Sequence, residues 1–488
     1  MENNGETRNT GNREIRIYTD NDKKTRNIGM YLVVGFALFS MLFGAGNLIF
    51  PPEIGLSGGT AWWQGYTAYF LADAALGICS VFAMLKVDGD PNRLTGTVGR
   101  TGSLIINLAC IICIGPLLAI PRNAAVTFEM GAAPLLGIDP GNGIARLLFS
   151  VLFFVVVVVL TIRPSKVIDI LGKYLTPVLV AAITVLIIVG VINPAAPAGP
   201  QLSETLFRDG IYNGYQTLDV MAGLFFSILV IDAIRGRNAE AKGAGGAGAA
   251  VSEKKAAARA ALLAGGLLCF VYGGLTYLGA TTGSQWTDAY QAGEINQAGL
   301  LINIAQALLG KVGVGVLSII VALACLTTAI GLTSAAAEYF SGLVMERRSK
   351  KAEDAADNDA AETAPDSDRI YAAMILLVSA ATLALSNFGL STIIGIAAPV
   401  LMLFYPTVMF LTMATLFRGK LRKQNIYRLG AGVSFLISAL TVLADTCGIS
   451  ACGFIHQLPL DAYGFNWLIP ALTAAVIGYF LPGGEIED

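Results

Sequence analysis

The residues able to do chemistry are few, and they lie inside long apolar stretches. The first such stretch contains FGAGNLIFPP, Phe43 to Pro52. Gly44 and Gly46 weaken helical hydrogen bonding there, Pro51 and Pro52 remove donors from it, and Asn47 adds a polar side chain at the break. Irregular backbone at membrane depth is tolerated only where it is buried in protein or lines a cavity. The amides and carbonyls it frees are then ligands for an anionic group and a cation respectively, unless the glycines serve only to let helices approach closely. A second stretch, NGYQTLDVMAGLFFSILVIDAIRGR from Asn213, has a similar interruption around Gly223, flanked by Phe225, Phe226 and Ser227. Plain aromatic packing is the competing explanation of that pair. A third, IGPLLAIPRNAAVTFE, carries Pro116, Pro121, Arg122 and Glu129. A charge at such a position costs about 2.5 to 3.5 kcal/mol on insertion scales unless it is paired or meets water. Arg122 and Glu129 are close to two turns apart, about 10 Å along a helix axis, so each needs a partner on another helix or an aqueous path. Glu53, Asp73, Asp219, Asp232 and Glu338 are the available acids, and a gate and a structural ion pair are both open. A fourth, LTTAIGLTSAAAEYFS, Leu326 to Ser341, sets hydroxyls side by side at Thr327 and Thr328 and again at Thr333 and Ser334. Hydroxyl oxygens are hard ligands that complete a sodium shell begun by backbone carbonyls; back-bonding to their own helix is the alternative.

The elements that position these groups must be membrane helices. The 488 residues are 55% hydrophobic and 14% charged, against roughly 45–50% and about 25% in soluble domains, which excludes a soluble globular protein. At about 20 residues per pass, the length allows roughly a dozen spans. The longest polar stretches, 1–28, 236–258 and 345–369, are each well under the roughly 50 residues of an independent domain. An attached soluble catalytic domain and nucleic-acid binding therefore have no support. Twelve apolar spans are expected, near 29–56, 60–86, 103–134, 143–163, 167–192, 212–235, 259–281, 313–345, 370–386, 391–417, 426–446 and 466–482. The polar start, with six basic residues before residue 29 and no cleavage site after a short apolar core, reads as a retained first helix rather than a signal peptide. With the N terminus inside, 28 of the 32 basic residues fall in inner segments, against Arg146, Arg208 and Lys311 outside and Arg122 within a span. That bias places both ends in the cytoplasm. Spans one and six then run in opposite directions and are five apart, as an inverted repeat of five helices requires. The expected organisation is a cytoplasmic tail (1–28), a membrane domain (29–482) with repeats near 29–192 and 212–417 and two further helices near 426–482, and a short tail (483–488).

Other features read as structural. KGAGGAGAA, with Gly243, Gly245 and Gly248, has dinucleotide-fingerprint spacing but lacks the strand and helix that make amides converge on a pyrophosphate, so it reads as a flexible linker. The acidic segment 352–368 reads as solvated. Cys110 and Cys113 form a CxxC by spacing only, within a span, where cysteines pack as small apolar residues. Cys447 and Cys452 flank an outer loop, which leaves a disulfide open there. The single histidine, His456, lies in the same loop, so an intramembrane metalloenzyme lacks ligands.

FGAGNLIFPP, IGPLLAIPR with its trailing FE, GLTSAAAEYFS and GIAAPVLMLFYPT (Gly395 to Thr407) together resemble the bacterial branched-chain amino acid symporter family. The resemblance spans the chain. It implies the five-plus-five inverted repeat of the amino acid, polyamine and organocation superfamily, all-α, with helices one and six broken and two helices added. It also implies uptake of leucine, isoleucine and valine with sodium as coupling ion, by alternating access in the bacterial cytoplasmic membrane. By resemblance, Gly44, Ala45, Gly46 and Asn47 receive the substrate carboxylate, carbonyls at Ser40 and Phe43 join Thr327 and Thr328 around sodium, and Phe225 and Phe226 line or cap the side-chain pocket near Gly223. No enzyme activity, organic cofactor or obligatory protein partner is expected. A channel lacks a pore-like charge ring, and an amino acid sensor, a symporter for another small solute and proton coupling are the alternatives.

Overall fold

The computed structural model describes residues 29–243, 252–354 and 367–486. Among them the architecture is all-helical, and the one β-type pairing is an isolated bridge between Lys423 and Glu485. Ten helical stretches are long and apolar enough to cross a membrane. The second to eleventh of the twelve expected spans coincide with these to within a few residues at most ends, because a stretch of about 20 apolar residues leaves its backbone no partner in lipid except itself; the expected first span is divided, and the expected twelfth holds only a 13-residue helix, Leu468–Phe480.

The first stretch is divided. Helix α1 (Gly29–Leu42) stops, Phe43 and Gly44 are non-helical, and α2 (Ala45–Gly58) resumes with Pro51 and Pro52 inside it. At Gly59, in a left-handed φ of 49°, the chain turns into α3 (Trp62–Phe70), and a π-helical turn, Leu71–Ala75, leads on to α4 (Leu76–Lys86). The 42 residues from Ala45 to Lys86 are thus not one long rod: α2 and α3 pack on each other. The third stretch comprises α5 (Arg100–Ile112) and α6 (Ala119–Val126), separated at Gly115 and Pro116. There follow α7 (Gly143–Thr161) and α8 (Thr176–Ile192). The sixth stretch is α9 (Leu206–Thr217), a left-handed Leu218, and α10 (Asp219–Gly243). The rest are α11 (Glu253–Ala280), α12 (Gln297–Leu309), α13 (Lys311–Asp354), α14 (Ser367–Ser386), α15 (Leu390–Leu416), α16 (Gln424–Asp445) and α17 (Leu468–Phe480).

Burial separates centre from periphery. The most apolar window of Leu206–Ala239 is 83% buried and that of Gly143–Thr161 only 22%, so the broken sixth stretch is central while α7 shows leucines and valines outward. Glycines allow the central helices to meet backbone to backbone: α2 lies on α11 through Gly55 and Gly279, and α9 lies on α3 through Gly210 and on the π-helical turn through Gly214.

Two further features depart from expectation. The interruption of the sixth stretch is at Leu218, not at Gly223, which is inside α10. Gly223 is a packing residue, since a methyl group there would fall 2.1 Å from the Ser80 hydroxyl of α4. The 13-residue α12, absent from the expected spans, is too short to cross by itself. Residues 236–243 continue α10 and Glu253 begins α11, so only 244–251 of the expected linker, together with the N-terminal tail and most of the acidic segment, lie outside the described residues. Cys110 and Cys113 are buried, and Cys447 and Cys452 are unpaired thiols. His456 sits between Asp445, at 3.0 Å, and Asp461, at 3.3 Å.

Candidate functional site

The break between α1 and α2 frees backbone groups, and their new partners can be named. In a continuous helix the Gly44 amide would bond the Ser40 carbonyl four residues back. Here it donates instead to the Leu42 carbonyl and to Asn47 Oδ1, both at 3.1 Å, and the Ala45 amide donates to Asn123 Oδ1 of α6 at 2.9 Å. The Ser40 carbonyl, so released, accepts the hydroxyls of Thr327 at 2.9 Å and Thr328 at 3.0 Å from α13. Ser40's own hydroxyl turns back to Ala37, which leaves its carbonyl as the group it offers. Phe43, in the break, stacks on Phe39. Of the expected cation set, Ser40, Thr327 and Thr328 therefore meet at one point, one carbonyl bridged to both hydroxyls, while Phe43 stands in the adjoining break. The competing pair is elsewhere: Ser334 is 2.8 Å from the hydroxyl of Tyr371 in α14, and the Thr333 hydroxyl is buried without a partner.

On the other side of the break Asn47 organises a buried polar cluster. Its amide nitrogen donates to Asp73 at 3.1 Å, to Asp219 at 3.4 Å, and to the hydroxyl of Tyr272. Thr217 closes the group with a bond to Asp73 at 2.7 Å. Asp73 stands in the π-helical turn and Asp219 directly follows the Leu218 break, whose φ of 73° is a strained conformation for leucine, costing about 1–2 kcal/mol. Strain of that kind persists where surrounding contacts hold it. The Val220 amide just beyond donates to the Tyr405 hydroxyl of α15 at 3.2 Å.

Between the two breaks lies a cavity of about 10 Å³, room for about one water. Met41, Leu42, Ile114, Ala222 and Leu332 supply its apolar walls, and Gly44, Ala45, Asn47, Arg122, Asn123, Asp219 and Thr328 its polar ones. Gly46 adjoins it, against the Arg122 guanidinium. Phe225 and Phe226 do not line it. Phe225 packs edge-on against Tyr339, and Phe226 stands behind Met41 beside Gly331; with the break at Leu218, the α10 side chains facing the cavity are Asp219 and Ala222.

The family model for branched-chain amino acid transport proteins matches residues 28–351 and 366–483. The chain belongs to the branched-chain amino acid transport protein family. Among curated relatives, the branched-chain amino acid transport system 3 carrier protein of Pseudomonas aeruginosa is 32% identical over 91% of this chain and 93% of its own length. The branched-chain amino acid permease BrnQ of Salmonella typhimurium is 30% identical over 93% and 95%. In fold, the chain is similar to a sodium-coupled sialic acid symporter in a substrate-bound outward-open state (TM-score 0.54, 13% identity, covering 93% of this chain and 91% of that one). It is also similar to a nucleobase-cation-symport-1 family transporter, Mhp1, in a closed conformation (TM-score 0.51, 15% identity, 92% and 91%). These relatives are transporters and permeases, not enzymes.

Within this transporter framework the two intramembrane charges of the third stretch have separate surroundings. Arg122 is 5% exposed, and one guanidinium nitrogen donates to the Gln216 carbonyl at 2.6 Å, just before the Leu218 break. Glu129 instead accepts the Leu390 amide at 3.2 Å, which caps the N terminus of α15. The two do not pair with each other. Replacing Glu129 by Ala removes a helix cap, so it lowers stability by about 1 kcal/mol and leaves apparent affinities for transported solutes unchanged; a thermal melt beside an uptake assay checks both. Asp73, Thr217, Tyr272 and Tyr405 were not singled out as site residues by sequence. The one available signal was Asp73 itself, a carboxylate in an apolar span, which marks function by default.

Proposed function

We propose that the chain is a twelve-pass, sodium-coupled importer of leucine, isoleucine and valine in the bacterial cytoplasmic membrane, with both ends inside, working by alternating access. Family membership supports the substrate class. The observation that carries the coupling is the convergence of Thr327 and Thr328 on the Ser40 carbonyl, the acceptor that the α1–α2 break releases. Sodium entering there takes oxygen from Ser40, Phe43 and both hydroxyls, and so ties α1 to α13.

The substrate takes the adjoining cavity. Its carboxylate meets the first turn of α2, where amides lack intrahelical acceptors and the helix dipole favours an anion, and its aliphatic side chain meets Met41, Leu42, Ile114, Ala222 and Leu332. A cavity of about 10 Å³ does not hold a leucine side chain. Loading therefore requires the broken stretches to move against α13, and that motion is the transport step. The membrane potential contributes about 2.3 kcal/mol per charge per 100 mV, before any sodium gradient.

The test is radiolabelled leucine uptake into proteoliposomes with an inward sodium gradient, against potassium or choline at equal ionic strength. Accumulation above equilibrium with sodium alone is the expected result. Accumulation driven equally by a proton gradient without sodium sinks the sodium assignment, and binding without accumulation under any gradient sinks transport in favour of a sensor.

A further inference from the structure

We propose that Arg122 and Asp219 form a charge clamp across the central cavity, Arg122 holding the α-carboxylate and Asp219 the α-ammonium of the substrate, so that the site selects zwitterionic α-amino acids over amines and over acids. The proposal rests on the assignment of this cavity to the amino acid and adds which side chains read its two charged ends.

Arg122 is buried, its Nε has no hydrogen-bond partner, and it forms no ion pair with a carboxylate among the described residues. Its one acceptor is a neutral carbonyl, that of Gln216. A guanidinium removed from water is a poor structural element unless an anion meets it. Nη2 of Arg122 faces the first turn of the 14-residue α2: a methyl group at Gly46 would lie 2.9 Å from it. The amides of Gly44 and Ala45 are already held by Asn47 and Asn123. An anion at this end of the cavity is thus met by the guanidinium fork beside the first turn of α2, an arrangement suited to a carboxylate's two oxygens.

The opposite end has the reverse character. Asp219 lines the same cavity, with Asp73 behind it, and the two carboxylates share the single Asn47 amide group. Two buried acids met only by neutral donors, the Asn47 amide and the Thr217 hydroxyl on Asp73, form an electronegative patch that a cationic group satisfies, and an ammonium presents three donors to it. Gly44 in this wall is crowded, since a methyl there would press on the Thr328 and Asn123 side chains at 3.0 and 3.2 Å. The sodium set and the clamp therefore share a wall and remain chemically distinct, oxygen ligands without formal charge on one side and full charges on the other.

Competition for labelled leucine binding in sodium by leucinamide, which lacks the carboxylate, and by 4-methylpentanoate, which lacks the ammonium, tests the clamp on the full-length protein. Wild type should prefer leucine to either by about 100-fold or more. Arg122→Gln should weaken leucine by about 100-fold while changing leucinamide by less than about three-fold, so that the leucine-to-leucinamide ratio collapses; Asp219→Asn should do the same to the leucine-to-4-methylpentanoate ratio. A purely structural Arg122 would weaken all ligands together. Where Arg122→Gln is not monodisperse, Arg122→Lys, a point charge without the fork, carries the test through an intermediate ratio. Wild type that binds leucine while folded Arg122 variants keep its ratio overturns the clamp alone. Wild type that binds no leucine in sodium overturns the transport assignment beneath it.

Discussion

Thr328→Ala raises the sodium concentration for half-maximal leucine uptake by about ten-fold or more, while leucine affinity at saturating sodium falls by less than about three-fold. Removing a hydroxyl ligand to a charged partner costs about 1.5–3 kcal/mol, equivalent to a factor of about ten or more in binding, and the loss falls on the ion that the hydroxyl contacts. Thr328 is bonded across the interface to the Ser40 carbonyl, at 3.0 Å. Thr327 divides its hydroxyl between Ser40 and the Ala324 carbonyl of its own helix, at 2.9 and 3.0 Å, so Thr327→Ala shifts sodium dependence in the same direction by a smaller factor. Thr328→Ser restores most of the affinity. Thr333→Ala, which deletes a buried hydroxyl with no partner, leaves sodium dependence alone and preserves or raises thermal stability, because an unmet buried polar group is removed. Sodium dependence unchanged in both Thr327 and Thr328 variants would remove the cation site from this position.

Gly55→Ala abolishes uptake and lowers the melting temperature by several degrees, and Gly279→Ala has the same effect. A methyl group at Gly55 would sit 1.9 Å from the Thr276 carbonyl oxygen, and one at Gly279 would sit 2.0 Å from that of Pro52. Both contacts are with backbone, so no rotamer relieves them, and α2 must separate from α11. Overpacking of this kind costs about 1–3 kcal/mol and occasionally more. It also displaces α2 from the cavity that its first turn lines. Gly266→Ala, in the same α11 with no atom within 4 Å of the added methyl, is the matched control and leaves uptake and melting unchanged. The double variant Gly55→Ala with Gly279→Ala is less than additive, since one separation relieves both collisions. A Gly55→Ala protein with wild-type melting and uptake would mean that this interface is open in the functional state.

The amino-acid sequence determined the membrane class, the limits of most helices and the family. Each follows from local composition: apolar length compels a helix in lipid, and glycine weakens a helix wherever it stands, which is why the break at Phe43 and Gly44 was legible. Tertiary structure decided the rest. The sixth stretch breaks at a leucine in a left-handed conformation, which residue type does not announce, while its glycine at 223 serves close packing on α4. Thr327 and Ser334 share one face of α13 about 10 Å apart, and both are hydroxyls. Only the neighbour at each height tells them apart: the Ser40 carbonyl released at the α1 break for the first, and the Tyr371 hydroxyl of α14 for the second. The Asn47 cluster joins residues separated in sequence by 26, 172 and 225 positions. No local pattern encodes such a meeting, because burial allows these polar groups to coexist only where the packed helices supply each of them with a partner.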